Sequence, residues 1–342
     1  MHSARHAALD RNGREWLRAL ADPEGLVALP HIPLPRDMDG LIAAALHHSV
    51  FPIVARRLKS DPRLSSPAKL PGSVSETLAG LAARSLMLSH HGDRSIAALA
   101  AAGIPATLIK GPLFARRLYP DPVLRSFSDI DILLSPEQRA ASRPVMESLG
   151  FVRHEEEKRL GSDYHEDQWI LPDRPNILVE IQDNLVHAPS LTGMSLTLKD
   201  LTEIGNGDAT SASGLLMVAA VHGAIGHQFE YLRFVVDVCQ AGRGAGGPID
   251  AHRLVDVAER NGTRLVLVMA LDLAARFFRD ETCRDLADRL GTVPGRRLCG
   301  LLLSPGTVLR AQGTTRRRDS WRRKLLREAF KRNVRRSARP TH

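Results

Sequence analysis

The sequence predicts an α/β protein in which a mixed β-sheet core is flanked by helices, with further helical regions before and after it in the chain. Three observations carry this. Between residues 103 and 190, short apolar runs bounded by Pro and Gly alternate with helical stretches in the order strand, helix, strand, helix, strands, the order of an α/β core. On both sides of that segment, apolar residues recur at helical spacing. The composition agrees. Hydrophobic residues, mostly Leu, Ala and Val, make up 43% of the chain and aromatics only 4%, which favours helices with a modest sheet over an all-β design.

Taken in order, residues 41–58 read as one helix that Asp61-Pro62 stops, and a Pro/Ser/Gly stretch to residue 73 reads as a linker. Residues 75–102 form a long second helix with Gly103 as its C′ residue. Residues 106–109 are a buried strand between Pro105 and the Lys110-Gly111-Pro112 turn, and residues 113–119 a short helix stopped by Pro120-Asp121-Pro122. A second strand spans 130–134. Ser135 and Pro136 then supply the N-cap and N1 residues of a helix that reaches Leu149 and closes at Gly150. Residues 151–155, 169–171 and 177–181 are further strands; 192–213, rich in Thr, Gly and Asp, is a loop; and 215–227, 231–240, 251–261 and 265–279 are helices. The chain thus divides into an N-terminal helical region (1–102), an α/β core (103–190), a C-terminal helical region (191–314) and a basic tail (315–342).

Composition excludes several classes. No apolar run reaches the roughly 18 residues that span a bilayer, and the first residues lead into charged sequence without a signal-peptide core. Cys239, Cys283 and Cys299 are odd in number, far apart and without ligand spacing, which fits a reducing cytoplasm and neither a disulfide framework nor a thiolate metal site. The net charge of +9 is concentrated at one end: residues 316–342 hold twelve Lys/Arg against Asp319 and Glu328, so the rest of the chain is nearly neutral. That tail suits an anionic partner along 316–339, either nucleic-acid phosphates or, through Trp321, Leu325, Leu326 and Phe330 on one side of a helix over 321–334, an anionic membrane or a protein. A solvated chain end is the plainer reading.

The chemistry gathers around one strand. Asp129 and Asp131 are two residues apart, so a strand presents both carboxylates on one face while Ile130, Ile132 and Leu133 anchor it. Like charges held close need a cation, and a hard divalent ion is the natural partner of carboxylates and phosphates. Glu180, flanked by Val179 and Ile181, offers a third acid, and on an adjacent strand it would complete a two-metal site. Lys110-Gly111 ends a strand and opens a helix, where a bare backbone and unpaired N–H groups receive phosphate. Lys110 and Arg125 add positive charge for it. His222 and His227, five apart, share no α-helical face and read as core or capping histidines. Asp237 is expected to pair with Arg233 four residues earlier, and His165-Glu166-Asp167 reads as a solvated turn.

LIKG at 108–111, YPDP at 119–122, Arg125 and SDIDILL at 128–134 give the chain a resemblance to the polymerase-β-like nucleotidyltransferase superfamily. Within it, the chain resembles an uncharacterised bacterial family in which LKG is followed by a Tyr-Pro turn, an Arg and a DIDLLV-like strand. The likeness extends more weakly to Val179-Glu180-Ile181-Gln182, in place of a VDLHW-like strand, and to His222-Gly223, His227 and residues 234–237, in place of an HG…H and W-x-x-D segment. It spans roughly residues 40–280 and leaves out the tail. The resemblance implies transfer of an NMP from an NTP, ATP by default, to an acceptor hydroxyl with release of pyrophosphate. It implies Mg²⁺, or Mn²⁺ in its place, on the catalytic acids Asp129, Asp131 and Glu180, and nucleotide binding by Lys110, Gly111, Arg125 and Ser128. The acceptor stays open among protein, peptide, RNA and small molecule. A catalytically silent module of the same fold, binding RNA or a partner through the tail, is the alternative.

Overall fold

The computed structural model describes residues 9–33, 35–60, 73–154, 166–188, 190–309 and 321–337. Helices α1 (Arg11–Leu20), α2 (Met38–His47) and α3 (Phe51–Ser60) come first. Asp10 and Asp37 cap the first two by accepting the Gly13 and Gly40 amides, a usual way of satisfying a free helix N-terminus. The single helix expected over 41–58 is two helices, because Ser49 takes a left-handed conformation (φ 55°) that breaks the chain between them.

The long helix α4 (Ser73–Ala101) leads into the sheet: β1 (Ala106–Leu108), α5 (Gly111–Leu118), β2 (Ile130–Leu134), α6 (Arg139–Ser148), β3 (Val152–Arg153), β4 (Glu166–Leu171) and β5 (Arg174–Gln182). Five strands lie in the order β1-β2-β5-β4-β3, with β2 and β5 parallel and the other neighbours antiparallel. The pleat sorts their side chains. Ile130, Ile132, Leu134, Trp169, Ile177, Val179 and Ile181 form one core with residues of α4 and α6 such as Leu88, Leu99 and Met146. Gly92 permits the close approach of α4, since a Cβ there would lie 3.3 Å from Ile130 Cγ2. The opposite face of the sheet carries the polar residues.

Helices α7 (Leu198–Ile204), α8 (Ala212–Val221), α9 (Leu232–Gly242), α10 (Ala251–Arg260), α11 (Arg264–Phe278), α12 (Glu281–Arg289), α13 (Arg296–Leu302), α14 (Pro305–Val308) and α15 (Trp321–Ser337) follow. The loop expected over 192–213 contains α7, which Thr197 and Asp200 open with a reciprocal capping box, so turn-rich composition there marked a helix start instead of a linker. Helix α11 is buried on nearly every side, as a central helix must be. Around it, Trp16, Leu20 and Phe51 from the first helices share one apolar core with α8, α9, α11 and α12.

The end of the chain is docked on this core. Leu326, Ala329 and Phe330 of α15 are buried, while Trp321 and Leu325 stay exposed. The expected tail helix therefore spends one stripe on packing; residues 310–320 and 338–342 lie outside the described residues. No helix among the described residues is long and apolar enough to cross a membrane.

Candidate active site

Asp131 lies opposite Glu180 in the parallel β2–β5 pair, and Glu180 lies opposite Gln168 in the β4–β5 pair. One pleat thus carries an acid, an acid and an amide side by side across three strands. Glu166, two before Gln168 in β4, shares that face, and Asp129, which stands just before β2, is close enough to Asp131 and Glu180 for their charges to act on one another. The Gln168 amide donates to Glu166 (2.9 Å) and to Glu180 (3.2 Å), tying the two carboxylates together.

Lys110 closes the group from the end of β1. Its Nζ is 2.5 Å from Asp131 Oδ1, with both side chains buried, and the Gln182 amide donates to the same oxygen at 2.8 Å. Gln182 Oε1 in turn meets His187 Nε2 at 2.9 Å. Gly111 fits the turn for a steric reason: its φ is +34°, and a Cβ would lie 3.1 Å from the Asp129 carbonyl. Ser128 is exposed, and its carbonyl accepts from Arg84 of α4.

Four carboxylates gather here with a single ion-paired cation, and their proton affinities respond. Burial first, then Asp131, Glu166 and Asp129, push Glu180 up to about 9. Burial followed by Asp131 raises Asp129. Burial also raises Glu166, against the hydrogen bond from Gln168. For Lys110 burial works the other way, but the contact with Asp131 outweighs it and holds the ammonium above its usual value. Such a cluster is short of positive charge. Its hard oxygen donors fit Mg²⁺ or Mn²⁺ better than a softer ion.

Two expected pairings are exchanged. Asp237 of α9 does not pair with Arg233. It takes both forks of Arg125, with Nε and Nη2 each at 2.8 Å, and accepts the Tyr119 hydroxyl at 2.7 Å, all fully buried. Arg125 Nη1 also donates to the Gly111 carbonyl (3.2 Å). The guanidinium expected to face a phosphate is instead an internal tie between α9 and the Lys-Gly turn. Arg233 is the cation left over. It lies against the Phe234 ring (5.1 Å) and donates to the Ser126 carbonyl (3.3 Å), its Nε has no partner, and among the described residues no carboxylate pairs with it. Burial lowers its proton affinity, the nearby Arg125 adds to this, and Asp237 and Asp129 oppose it.

The helix expected over 215–227 changes type at His222. Residues His222–Gly226 form a wider π-helical turn. A spacing of five, wrong for an α-helix, is one turn of a π-helix, and it brings the His222 and His227 rings within 4.8 Å. Both pack on Phe234, with His227 stacked at 4.4 Å. Burial, then Lys110, lowers both imidazoles, His227 to about 4. They are neutral packing groups on the rim of the acidic face.

Sequence reasoning missed Glu166. In β4, Glu166, Gln168 and Ile170 share one face and Asp167 and Trp169 the other, so the expected solvated turn is a buried strand; His165 lies outside the described residues. Asp167, on the far face, binds Arg139 (3.0 Å) and Arg153 (2.8 Å). The period-two alternation through Trp169 was the available signal. Among the described residues, the one set of three or more His, Cys, Asp or Glu side chains whose ligand atoms all lie within 4.8 Å of one another is Cys239, Asp280 and Cys283, away from the acidic face. Its acid is already engaged as the α12 N-cap and by Arg243 (2.7 Å), and all three cysteines are free and buried.

A mixed sheet that sets an Asp-x-Asp pair beside an acid on the adjoining parallel strand, with a Lys-Gly turn at the next strand end, defines a protein of the nucleotidyltransferase class. The family described as "Uncharacterised nucleotidyltransferase" matches residues 35–279, which include every site residue above, and the chain belongs to that family. No curated protein and no solved structure matches the chain.

Proposed function

We propose that the protein moves a nucleotidyl group from an NTP, ATP by default, to an acceptor hydroxyl at this acidic face. The observation that carries the reading is the alignment of Asp131 with Glu180 across parallel strands, with Glu166 on the same face and Asp129 within electrostatic reach of both acids. Asp129, Asp131 and Glu180 would hold Mg²⁺. The ion, when bound, supplies positive charge to the triphosphate and the carboxylates and acidifies the acceptor hydroxyl.

The chain's own groups complete the reaction. Lys110 and Arg233 offset charge on the phosphates, and Arg125 keeps the Lys110-Gly111 turn in place through Asp237 and the Gly111 carbonyl. As the acceptor oxygen bonds to the α-phosphorus, the bond to the bridging oxygen breaks and its electron pair leaves with pyrophosphate. Glu180, ionised when the cluster is charge-compensated, takes the hydroxyl proton.

The test is incubation with α-labelled NTPs, Mg²⁺ and cell extract. Asp131→Asn is expected to lose labelling by more than the about 10–100-fold that removing a ligand's supporting partner costs, with its circular dichroism unchanged. Labelling at the parental rate would show that the site is misassigned.

A further inference from the structure

A pocket open to solvent lies between the chain segment that joins α8 to α9 and the last helix. His47, Gln228, Phe229 and Glu230 form one wall. The other is made of Leu302, Leu303, Thr307, Val308, Arg322, Arg323 and Leu326, all beyond residue 279 where the family match ends. The family portion supplies four of the lining residues and this chain's C-terminal segment the other seven.

Its polar groups are unevenly balanced. Glu230 and Arg323 pair at 3.1 Å and cancel. Arg322 faces the Trp321 ring (5.3 Å) and has no carboxylate partner among the described residues; its Nη1 and the buried Gln228 Oε1 both lack hydrogen bonds. Gln228 and Phe229 are held at φ 48° and 54°, consecutive left-handed residues that a chain rarely adopts without a reason. His227, which precedes Gln228, lies within electrostatic reach of Lys110 and Asp129 on one side and of Arg323 of the pocket on the other. Phe229, Leu302, Leu303, Val308 and Leu326 give the rest of the lining an apolar stretch, with His47 and Thr307 beside it.

One unbalanced guanidinium over an apolar floor selects a particular kind of molecule. We propose that this pocket seats the acceptor and that the acceptor is a small hydroxy-bearing organic acid, its anionic head received by Arg322 and its hydroxyl left for the transfer. The binding site stands on the pocket's own chemistry; the acceptor role rests on the nucleotidyl-transfer reading.

The full-length protein is titrated with 4-phenylbutyrate, with phenyl phosphate and with the uncharged benzyl alcohol, following tryptophan emission. Trp321 is 62% exposed beside the pocket whereas Trp16 and Trp169 are buried, so it is the reporter. A saturable change is expected with at least one anionic probe and not with the alcohol. Arg322→Met weakens it at least about 10-fold, as loss of a charge-assisted hydrogen bond does, and Arg322→Lys restores part of it. Whether carboxylate or phosphate binds more tightly identifies the head group. No saturable response to either anion, or equal affinity in Arg322→Met, overturns the proposal. Calorimetry with Mg·ATP runs alongside. If the wild-type protein binds a probe but no nucleotide, the nucleotidyl-transfer reading fails and the binding site stands.

Discussion

The exchange of partners between Arg125 and Arg233 gives the sharpest test of the structure. Arg125→Met removes a guanidinium whose three hydrogen bonds all stay within the protein, two of them to Asp237, which is 1% exposed. The carboxylate left behind keeps only the Tyr119 hydroxyl, and stranding one member of a buried ion pair costs about 3–5 kcal/mol. With an unfolding entropy of about 2.1 cal/mol/K per residue over 342 residues, that loss lowers the melting midpoint by about 4–7 °C. Adding Asp237→Leu removes the stranded charge and is expected to recover most of the loss. A remainder of about 1 kcal/mol each persists from the unsatisfied Tyr119 hydroxyl and Gly111 carbonyl. Differential scanning fluorimetry and urea titration of the wild type, both single variants and the double variant close the cycle. An Arg125→Met protein that melts with the wild type and yet binds Mg·ATP weakly would refute the reasoning, because its guanidinium would then belong to the substrate.

Two further outcomes follow from neighbouring groups. Arg233→Met is expected to raise KM for the NTP about 10–100-fold, the equivalent of one or two lost charge-assisted hydrogen bonds, with little change in melting midpoint; steady-state kinetics with and without the variant measures it. His227 is held neutral, chiefly by burial, with its proton affinity lowered to about 4. A histidine with a depressed folded value stabilises the fold above its unfolded value of about 6.5 and loses that contribution as pH falls toward 4, by at most about 3 kcal/mol. His227→Gln should flatten the pH dependence of the urea midpoint between those limits, and an unchanged slope would remove His227 as its source.

The parts of the fold that were legible in the sequence are those whose signal is local. β2 was read to the residue because Ile130, Ile132 and Leu134 alternate with a carboxylate, and α11 because fifteen residues of near-continuous apolar text have few alternatives. The Asp pair was legible for the same reason: its spacing of two alone sets both carboxylates close together. What failed was non-local or irregular. The Arg125–Asp237 pair joins residues 112 positions apart, and the spacing of four between Arg233 and Asp237 offered a nearer partner that the folded chain declines. The π turn at His222 defeated a periodicity argument built on 3.6 residues. Glu166 escaped because an acidic neighbourhood looked solvated until the sheet around it was assembled. Ser49 carries no residue-type signal for its left-handed backbone, so two helices read as one.

The shared core of the first and last helices has a consequence for where a substitution is felt. Trp16, Leu17 and Leu20 belong to a helix that packs on α2 and α3 nearby in the chain and also on α11, more than two hundred residues further along. The sheet and its backing helices need only residues 88–181 to close their own core. The strand framework thus closes its own core within one continuous stretch of chain, whereas the core around α11 is shared by helices from distant parts of it, so a substitution at Trp16 is expected to loosen α11 before it disturbs the sheet.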